Sequence, residues 1–148
     1  MNLLNSITNI QIDNASLKSF SLSLSHNVII GRALVKNDDG IFPLLFFNRF
    51  ATILSEEKNE LCRITTEGFL KDYSYADYNG VSHFVKLIVV TALTMDGKKY
   101  ETTETEKKSL EDIWKTAKKN NYQLLDVVDF EKFSHDENKK GVLNECYQ

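Results

Sequence analysis

The stretch KDYSYADYNGVSHF, residues 71–84, places three of the six tyrosines of the chain just before or at the start of Asn79-Gly80. Asn-Gly is a strong short-range signal for a β-hairpin, because both central residues of the tight turn must adopt positive φ. The segments on either side, residues 61–75 and 81–95, predict the longest strand pair of the chain. A two-residue turn would place residues whose numbers sum to 159 opposite one another.

Three shorter strands and a helix precede this hairpin. The alternation Phe20-Ser-Leu-Ser-Leu24 and the segment 27–36 predict two half-buried strands. Residues 41–47 form an apolar run that predicts a third, and Asn48 is a candidate N-cap for a helix over residues 49–57. Five strands with a short helix before the longest hairpin predict a mainly β fold, a Greek-key barrel of the OB type.

The C-terminal third of the chain predicts an addition to this barrel. We expect a helix that begins at Ser109 and a last strand over Tyr122–Phe130. The chain then divides into a flexible or oligomerisation arm (1–15), the OB-fold domain (16–98), a helix–strand extension packed on the barrel (99–133) and a flexible tail (134–148).

Size and composition limit the class of protein. The 148 residues, 42% of them hydrophobic, are typical of a single folded domain. No apolar run approaches the roughly 18 residues that span a membrane, and the first residues lack a signal-peptide pattern, so a cytoplasmic protein is expected. The two cysteines lie far apart and the three histidines are scattered, so we expect neither a metal site nor another cofactor. The net charge of −3 lies mainly in the last third.

One face of the predicted hairpin combines aromatic and basic residues. In the expected register it carries Arg63, Phe69, Lys71, Tyr73 and Tyr75, opposed by Val90, Ile88, Lys86 and Phe84. The opposite face, which is the expected core, carries Ile64, Leu70, Val85, Leu87 and Val89. Two interpretations stay open. The aromatic pairs stabilise the hairpin or pack under the C-terminal helix, or they offer flat surfaces for bases and cations for phosphates, as single-stranded nucleic acid requires.

Three motifs between residues 26 and 95 follow one another in a fixed order. They are Val28-Ile-Ile-Gly-Arg32, Leu45-Phe-Phe-Asn-Arg-Phe-Ala51, and Glu67-Gly-Phe-Leu70 leading into Tyr73, Tyr75, Asp77, Asn79 and Gly80. In this order they resemble the bacterial single-stranded DNA-binding protein family. The resemblance implies an OB fold, single-stranded DNA as ligand and a homo-oligomer. Phe69 stands where the family commonly has a basic residue, and the Gly/Gln-rich tail of chromosomal members is not seen, so members from plasmids, conjugative elements or phages are the better match.

The expected function is therefore sequence-tolerant binding and protection of single-stranded DNA in plasmid, conjugation or phage DNA metabolism, with RNA as a further candidate ligand. The expected stacking residues are Tyr73, Tyr75, Tyr78, Phe84 and Phe69, and the expected phosphate contacts are Arg32, Lys36, Arg63, Lys71 and Lys86. The alternative is a protein–protein interaction module that uses the same aromatic face, since Tyr and Arg also mark interface hot spots. An enzyme is not expected, because the sequence has no Gly-rich phosphate loop and neither cysteine has a histidine at a catalytic spacing.

Overall fold

The computed structural model describes residues 9–58 and 62–134. Within these ranges lie the strands β1 (Asn9–Ser25), β2 (Val28–Asn37), β3 (Gly40–Phe47), β4 (Arg63–Ala76), β5 (Ser82–Met95) and β6 (Lys98–Glu101), and the helices α1 (Arg49–Glu57), α2 (Glu104–Lys119) and α3 (127–134). None of the helices in this part of the chain is long and apolar enough to cross a membrane.

Five of the strands close into a barrel. β1 pairs antiparallel with β2 on one side and with β4 on the other, β2 pairs with β3, and β4 pairs with β5. The ring closes where β3 runs parallel to β5, through the pairs Leu44–Ile88 and Leu45–Val89. This order, with α1 between β3 and β4, confirms the prediction of a mainly β fold of the OB type. β6 adds an extra strand beside β5.

β1 starts earlier than predicted. Residues 9–15, assigned above to an arm, pair with β4, and Ile12 and Ala15 are buried, so the arm prediction is wrong for this segment. The sequence hides the strand because a register shift between Ile12 and Ala15, where Asn14 has a φ of 41°, interrupts the alternation. The rest of the predicted arm, residues 1–8, and nearly all of the predicted tail, residues 135–148, lie outside the described residues.

The barrel interior is apolar and is closed at one end by α1. This helix has the predicted bounds and contributes Phe50, Ala51 and Leu54 to the core. Gly31 of β2 permits the close packing, because a Cβ atom there would lie 2.9 Å from the ring of Phe20 and 3.1 Å from the Cβ of Ala51. The glycine of the predicted Val-Ile-Ile-Gly-Arg motif therefore serves the contact between β2, β1 and α1.

Asn48 is in the predicted N-cap position of α1, but its side chain makes no capping hydrogen bond. Its Oδ1 accepts a hydrogen bond from the backbone N of Ile29 at 2.9 Å, and its backbone N donates to the O of Ile29 at 2.8 Å. Asn48, with a φ of 51°, therefore fixes the exit from β3 against the start of β2.

α2 begins at Glu104, earlier than the predicted Ser109. Thr103 is its N-cap and forms a capping box with Glu106, in which each side chain accepts a hydrogen bond from the backbone N of the other residue. Its packed face carries Leu110, Trp114 and Ala117, which are buried.

The predicted last strand, Tyr122–Phe130, is wrong. Residues 122–126 are irregular, and residues 127–134 form α3. Asp126 is in the N-cap position of α3, because its Oδ1 accepts a hydrogen bond from the backbone N of Asp129 at 3.3 Å. Two adjacent leucines, Leu124 and Leu125, are both buried. A half-exposed strand would point them to opposite faces.

Candidate nucleic-acid interface

The β4–β5 hairpin forms where predicted, but its loop is longer. The last pair is Ala76–Ser82, which leaves a five-residue loop in place of the predicted two-residue turn. Asp77 fixes this loop, because its Oδ1 accepts hydrogen bonds from the backbone N atoms of Asn79 and Val81 at 2.8 and 2.9 Å. Because the loop has an odd number of residues, the pairs that β4 and β5 form next to it differ from those predicted for a two-residue turn.

The predicted register is wrong by one residue in the half of the hairpin next to the loop. Residues 68–76 pair with residues 82–90 one position away from the prediction, until a bulge restores the predicted register at Glu67–Ala92. Thr91 of β5 is the extra residue of the bulge, and Gly68 pairs beside it; a Cβ atom on Gly68 would lie only 2.2 Å from the carbonyl O of Val89. Only glycine therefore fits at this position without a movement of β5.

This one-residue change of register places the predicted site residues on two opposite faces of the hairpin. We call the first the covered face; it carries Phe69, Lys71, Tyr73, Tyr75, His83, Val85, Leu87 and Val89. We call the second the open face; it carries Asp72, Ser74, Ala76, Ser82, Phe84 and Lys86. Phe84 and Lys86 therefore do not lie beside the tyrosines, contrary to the prediction. Nor do Val85, Leu87 and Val89 point into the barrel, where Ile88 and Val90 lie instead.

The C-terminal extension of the same chain packs over the covered face. The extension consists of α2 and of residues 122–134, and we call residues 122–134 the strap. Both parts lie across the outside of the barrel. Their apolar side chains form one cluster with the barrel residues Ile30, Leu45, Phe47, Leu87 and Val89; the extension contributes Leu110, Trp114, Ala117, Leu124 and Leu125. In this conformation the packing interpretation of the aromatic face holds.

The strap runs from the β1–β2 turn to the β4–β5 loop. At its start, the ring of Tyr122 stacks on His26 with 5.7 Å between ring centroids. Next, the carbonyl O of Gln123 accepts a hydrogen bond from Arg32 Nη1 at 2.9 Å, and the backbone N of Leu124 donates to the hydroxyl of Tyr73 at 3.4 Å. The strap thus crosses the surface that OB folds use to bind oligonucleotides, between the same two loops.

Arg32 is held on this surface from two sides. Besides Gln123, its guanidinium donates from Nη2 to the Oγ of Ser23 at 2.9 Å. Burial lowers the pKa of Arg32 from its usual value, while the nearby Asp126 opposes this shift. Arg32, which the sequence predicts as a phosphate contact, therefore lies on the barrel face, where its guanidinium donates to Gln123 and Ser23.

Tyr75 marks the far end of the strap. Its hydroxyl donates to Glu131 Oε2 at 2.8 Å, and its ring contacts Phe130 edge-on at 6.1 Å and stacks on His83 at 5.2 Å. Burial, followed by the hydrogen bond and charge of Glu131, raises the pKa of Tyr75 to about 12. His83 Nε2 lies 2.7 Å from Asp77 Oδ2 and 4.0 Å from Glu131 Oε2. Within the described residues, these three side chains form the group with a metal-binding arrangement.

Lys71 and Phe69 occupy the part of the covered face under α2. Lys71 Nζ forms an ion pair with Glu111, at 2.8 and 3.0 Å from the two carboxylate oxygens. The same Nζ lies 5.8 Å from the ring centroid of Phe69. A predicted phosphate contact is thus neutralised by a carboxylate of α2.

The open face and the loop present the aromatic groups that solvent reaches. Phe84 is 84% exposed and Tyr78 is 91% exposed. Lys86 Nζ forms an ion pair with Asp72, and this hydrogen bond lowers the pKa of the Asp72 carboxyl. These two aromatic residues are therefore free for contact with a ligand without any movement of the protein.

Two predicted phosphate contacts lie away from the strap contacts. Arg63, at the start of β4, donates to the side-chain O and the backbone O of Asn14 at 2.9 and 2.6 Å. Lys36, near the end of β2, pairs in register with Ser16 and Ile41 and shares strand parity with Arg32. The structure thus brings together Arg32, Tyr73 and Tyr75, and separates Arg63 from them.

Sequence reasoning missed the residues that cover the site. Glu111, Gln123 and Glu131 are the partners of Lys71, Arg32 and Tyr75. The signal that points to them is the acidic charge of the last third of the chain, although charge alone does not specify which carboxylate meets which partner. The structure also shows a cleft of about 390 Å³ beside the strap, lined in part by Tyr73, Tyr75, Tyr122 and Lys118.

No protein-family model matches this sequence, and no curated protein matches it either. Solved structures with a similar fold include the mitochondrial single-stranded DNA-binding protein Rim1 of S. cerevisiae, at 15% sequence identity and a TM-score of 0.45, over 60% of this chain and 93% of that one. Another is the small single-stranded DNA-binding protein of Streptomyces coelicolor, at 17% identity and a TM-score of 0.49, over 62% of this chain and 95% of that one.

Proposed function

We propose that this protein binds single-stranded DNA, with little preference for sequence, on the outer face of its barrel between the β1–β2 turn and the β4–β5 loop. One observation carries the proposal. Arg32, Tyr73 and Tyr75 share this face, and each of them is engaged by the strap. A guanidinium and two phenol rings are groups that bind phosphates and stack on bases.

The ligand would enter where the strap is held most weakly. The α3 part of the strap has half-buried or exposed side chains, whereas Leu124 and Leu125 are fully buried. Release of α3 loses the Tyr75–Glu131 hydrogen bond, worth about 1 kcal/mol net and somewhat more for a charged acceptor. Full release also exposes the two leucines, at about 1.5–3 kcal/mol each. Stacking worth roughly 1–3 kcal/mol per base offsets these costs over a few nucleotides.

The exposed aromatic residues extend this path around the hairpin. Phe84 and Tyr78 are available before the strap moves. A strand that begins in the cleft lined by Tyr73 and Lys118 continues over the loop to reach them. We therefore propose initial contact at Phe84 and Tyr78 and a second stage at Tyr75, Tyr73 and Arg32, with Lys36, Lys71, Lys86 and Phe69 along the flanks.

We extend the proposal to the cellular context and the assembly of the protein. The resemblance of the sequence motifs favours a protein that acts in plasmid, conjugation or phage DNA metabolism and forms homo-oligomers, with RNA as a competing ligand. The sequence pattern at the start of the chain and the lack of a long apolar run favour the cytoplasm. Light scattering of the full chain, with and without an oligonucleotide, tests the oligomeric state. An RNA competitor tests the choice of nucleic acid.

Fluorescence anisotropy of a labelled oligothymidine, with duplex DNA as competitor and at two salt concentrations, tests the proposal. We expect salt-sensitive binding that duplex does not displace. Phe84→Ala should weaken binding by about five- to a hundredfold, because it removes one stacking surface without altering the packing. Absence of binding at low salt contradicts the proposal and favours the protein–protein interaction module.

A matched pair of variants tests the role of the strap. Glu131→Ala removes the partner of Tyr75 and should tighten binding of the oligonucleotide, because α3 is then easier to release. Glu104→Ala makes the same change of charge at an exposed position at the start of α2, away from the strap. Equal effects of the two variants on oligonucleotide binding would mean that the change in net charge explains both. The strap would then have no role in binding.

A further inference from the structure

Three ligand groups converge at the junction between the β4–β5 loop and α3. They are Asp77 in the loop, His83 on β5 and Glu131 on α3, and their ligand atoms all lie within 4.8 Å of one another. All three residues are half-buried. Carboxylate oxygens and an imidazole nitrogen together form a ligand set suited to divalent transition metals.

Each of the three groups is oriented by a further contact. Asp77 uses Oδ1 for the two backbone N–H groups of its loop, so Oδ2 is the oxygen directed at His83. The ring of His83 is stacked on Tyr75, and Glu131 Oε2 accepts the hydrogen bond of the Tyr75 hydroxyl. Contacts of this kind fix ligand orientation in metal sites and raise metal affinity.

The separations between the ligand atoms fit a small ion. Bonds of about 2.0–2.2 Å in tetrahedral geometry place ligand atoms about 3.3–3.6 Å apart. The distances from His83 Nε2 to Asp77 Oδ2 and Glu131 Oε2, 2.7 and 4.0 Å, lie on either side of this value. Side-chain rotations that lengthen the shorter distance by about 0.6–0.9 Å and shorten the longer one by about 0.4–0.7 Å would bring both into this range.

We propose that Asp77, His83 and Glu131 bind one divalent transition-metal ion, with zinc as the best match and a water molecule as fourth ligand. The ion replaces the hydrogen bond between His83 Nε2 and Asp77 Oδ2, and the ring proton is then carried by Nδ1, since a metal-bound imidazole is neutral. Mg²⁺ prefers an all-oxygen octahedral shell, so it is a poor match for a site with an imidazole. The ligands come from positions 77, 83 and 131, which is why the histidine and cysteine spacing indicated no metal site.

The ion would join α3 to the hairpin loop. Glu131 is the only one of the three ligands that belongs to the strap, and it already contacts Tyr75. A metal bond to Glu131 therefore holds the strap against the covered face. If the proposed function is correct, zinc and single-stranded DNA weaken each other's binding by the same factor, because binding couplings are reciprocal.

Calorimetric titration of the chelator-treated full chain with zinc chloride tests the site without any nucleic acid. We expect one equivalent of zinc per chain and a melting temperature that rises with zinc concentration, with no effect of magnesium chloride. His83→Gln and Glu131→Gln should each weaken zinc binding by about a hundredfold or more, since even outer-shell partners are worth about 10- to 100-fold. Controls are His26→Gln, at the other end of the strap, and Cys146→Ser, which removes the other thiol besides the buried Cys62.

Cobalt(II) gives a readout that does not depend on stability. The intense visible absorption of a four-coordinate cobalt site should appear with one equivalent and be absent in His83→Gln. Absence of saturable zinc binding by the full chain, or unchanged binding by both His83→Gln and Glu131→Gln, overturns the proposal. Zinc binding by a chain that fails to bind oligothymidine leaves the metal site intact and rejects only the proposed function.

Discussion

The covered face and the open face of the β4–β5 hairpin carry the same kinds of side chain and differ in what lies over them. On the covered face, Tyr73 and Tyr75 alternate with Lys71, and all three have partners in the C-terminal extension. On the open face, Phe84 stands beside Lys86 with 84% of its surface exposed. The two faces belong to the same strands, so local propensity does not account for the difference.

The comparison shows that an alternation of aromatic and basic residues has two physical solutions. In the first, bases and phosphates contact these side chains; in the second, the leucines, tryptophan and carboxylates of the C-terminal extension contact them. On the covered face the second solution is realised through Trp114 and Glu111. The same groups that bind nucleic acid are therefore also a docking surface for the chain's own extension, and a ligand competes with that extension.

The largest expected effect comes from Trp114→Ala. Trp114 is 6% exposed and packs α2 on the outer face of the barrel. Removing the indole should lower the free energy of unfolding by about 3–5 kcal/mol through lost burial and the cavity that remains. Urea denaturation followed by circular dichroism measures the change.

Phe84→Ala is the matched variant on the open face. The ring has few contacts to lose, so the free energy of unfolding should change by less than about 0.5 kcal/mol. A similar loss in both variants would mean that the open face is also covered, for example by a second copy of the chain. Light scattering on the wild-type protein would then show the oligomer.

A smaller effect is expected from the lysines of the two faces. The Lys71–Glu111 pair has side chains that are 21% and 27% exposed, whereas those of Lys86–Asp72 are 63% and 77% exposed. Lys71→Ala should lower the free energy of unfolding by about 1 kcal/mol, since it leaves a half-buried carboxylate without its partner. Lys86→Ala should have little effect, because solvent and salt screen an exposed pair. Urea denaturation at low and high salt separates the two, and an equal loss in both variants contradicts the distinction.

The sequence specified much of the barrel, for physical reasons that act over short distances. Asn79-Gly80 marked the hairpin, and the amphipathic segment 49–57 marked α1 with the observed bounds. The order of the strands around one short helix then identified the OB topology. Such features depend on turn chemistry and periodicity, which one segment of sequence contains.

The site was harder to predict from the sequence, because it depends on a one-residue change of register and on contacts between residues far apart in the chain. The carboxylate of Asp77 stabilises a five-residue loop in place of the two-residue turn. The register of the hairpin therefore changes by one residue, which places Phe84 and Lys86 on the other face. The strap was misread as a strand because Val127 and Val128 favour strands, whereas Asp126 starts a helix there. No periodicity within β4 indicates that Glu131 will meet Tyr75.

The smallest expected effect comes from the hydroxyl group of Tyr75 on the covered face, whose pKa is raised. Its pKa is raised to about 12, first by burial and then by Glu131, whereas a tyrosine in the unfolded chain titrates near about 10. The folded state therefore holds this proton more tightly than the unfolded state does. The resulting stabilisation is complete below about pH 10 and is lost as the pH rises towards about 12.

Urea midpoints of the wild type and Tyr75→Phe between about pH 9 and pH 12 measure this contribution. Lysine deprotonation affects both proteins in this range, so the difference between them isolates the hydroxyl. The wild type should lose more stability than Tyr75→Phe as the pH rises, and Glu131→Gln should lower the pKa of Tyr75 in a spectroscopic titration, because it removes the adjacent negative charge. Parallel curves for the wild type and Tyr75→Phe would mean that α3 is released from Tyr75 in solution, and that the two faces of the hairpin differ less than their contacts indicate.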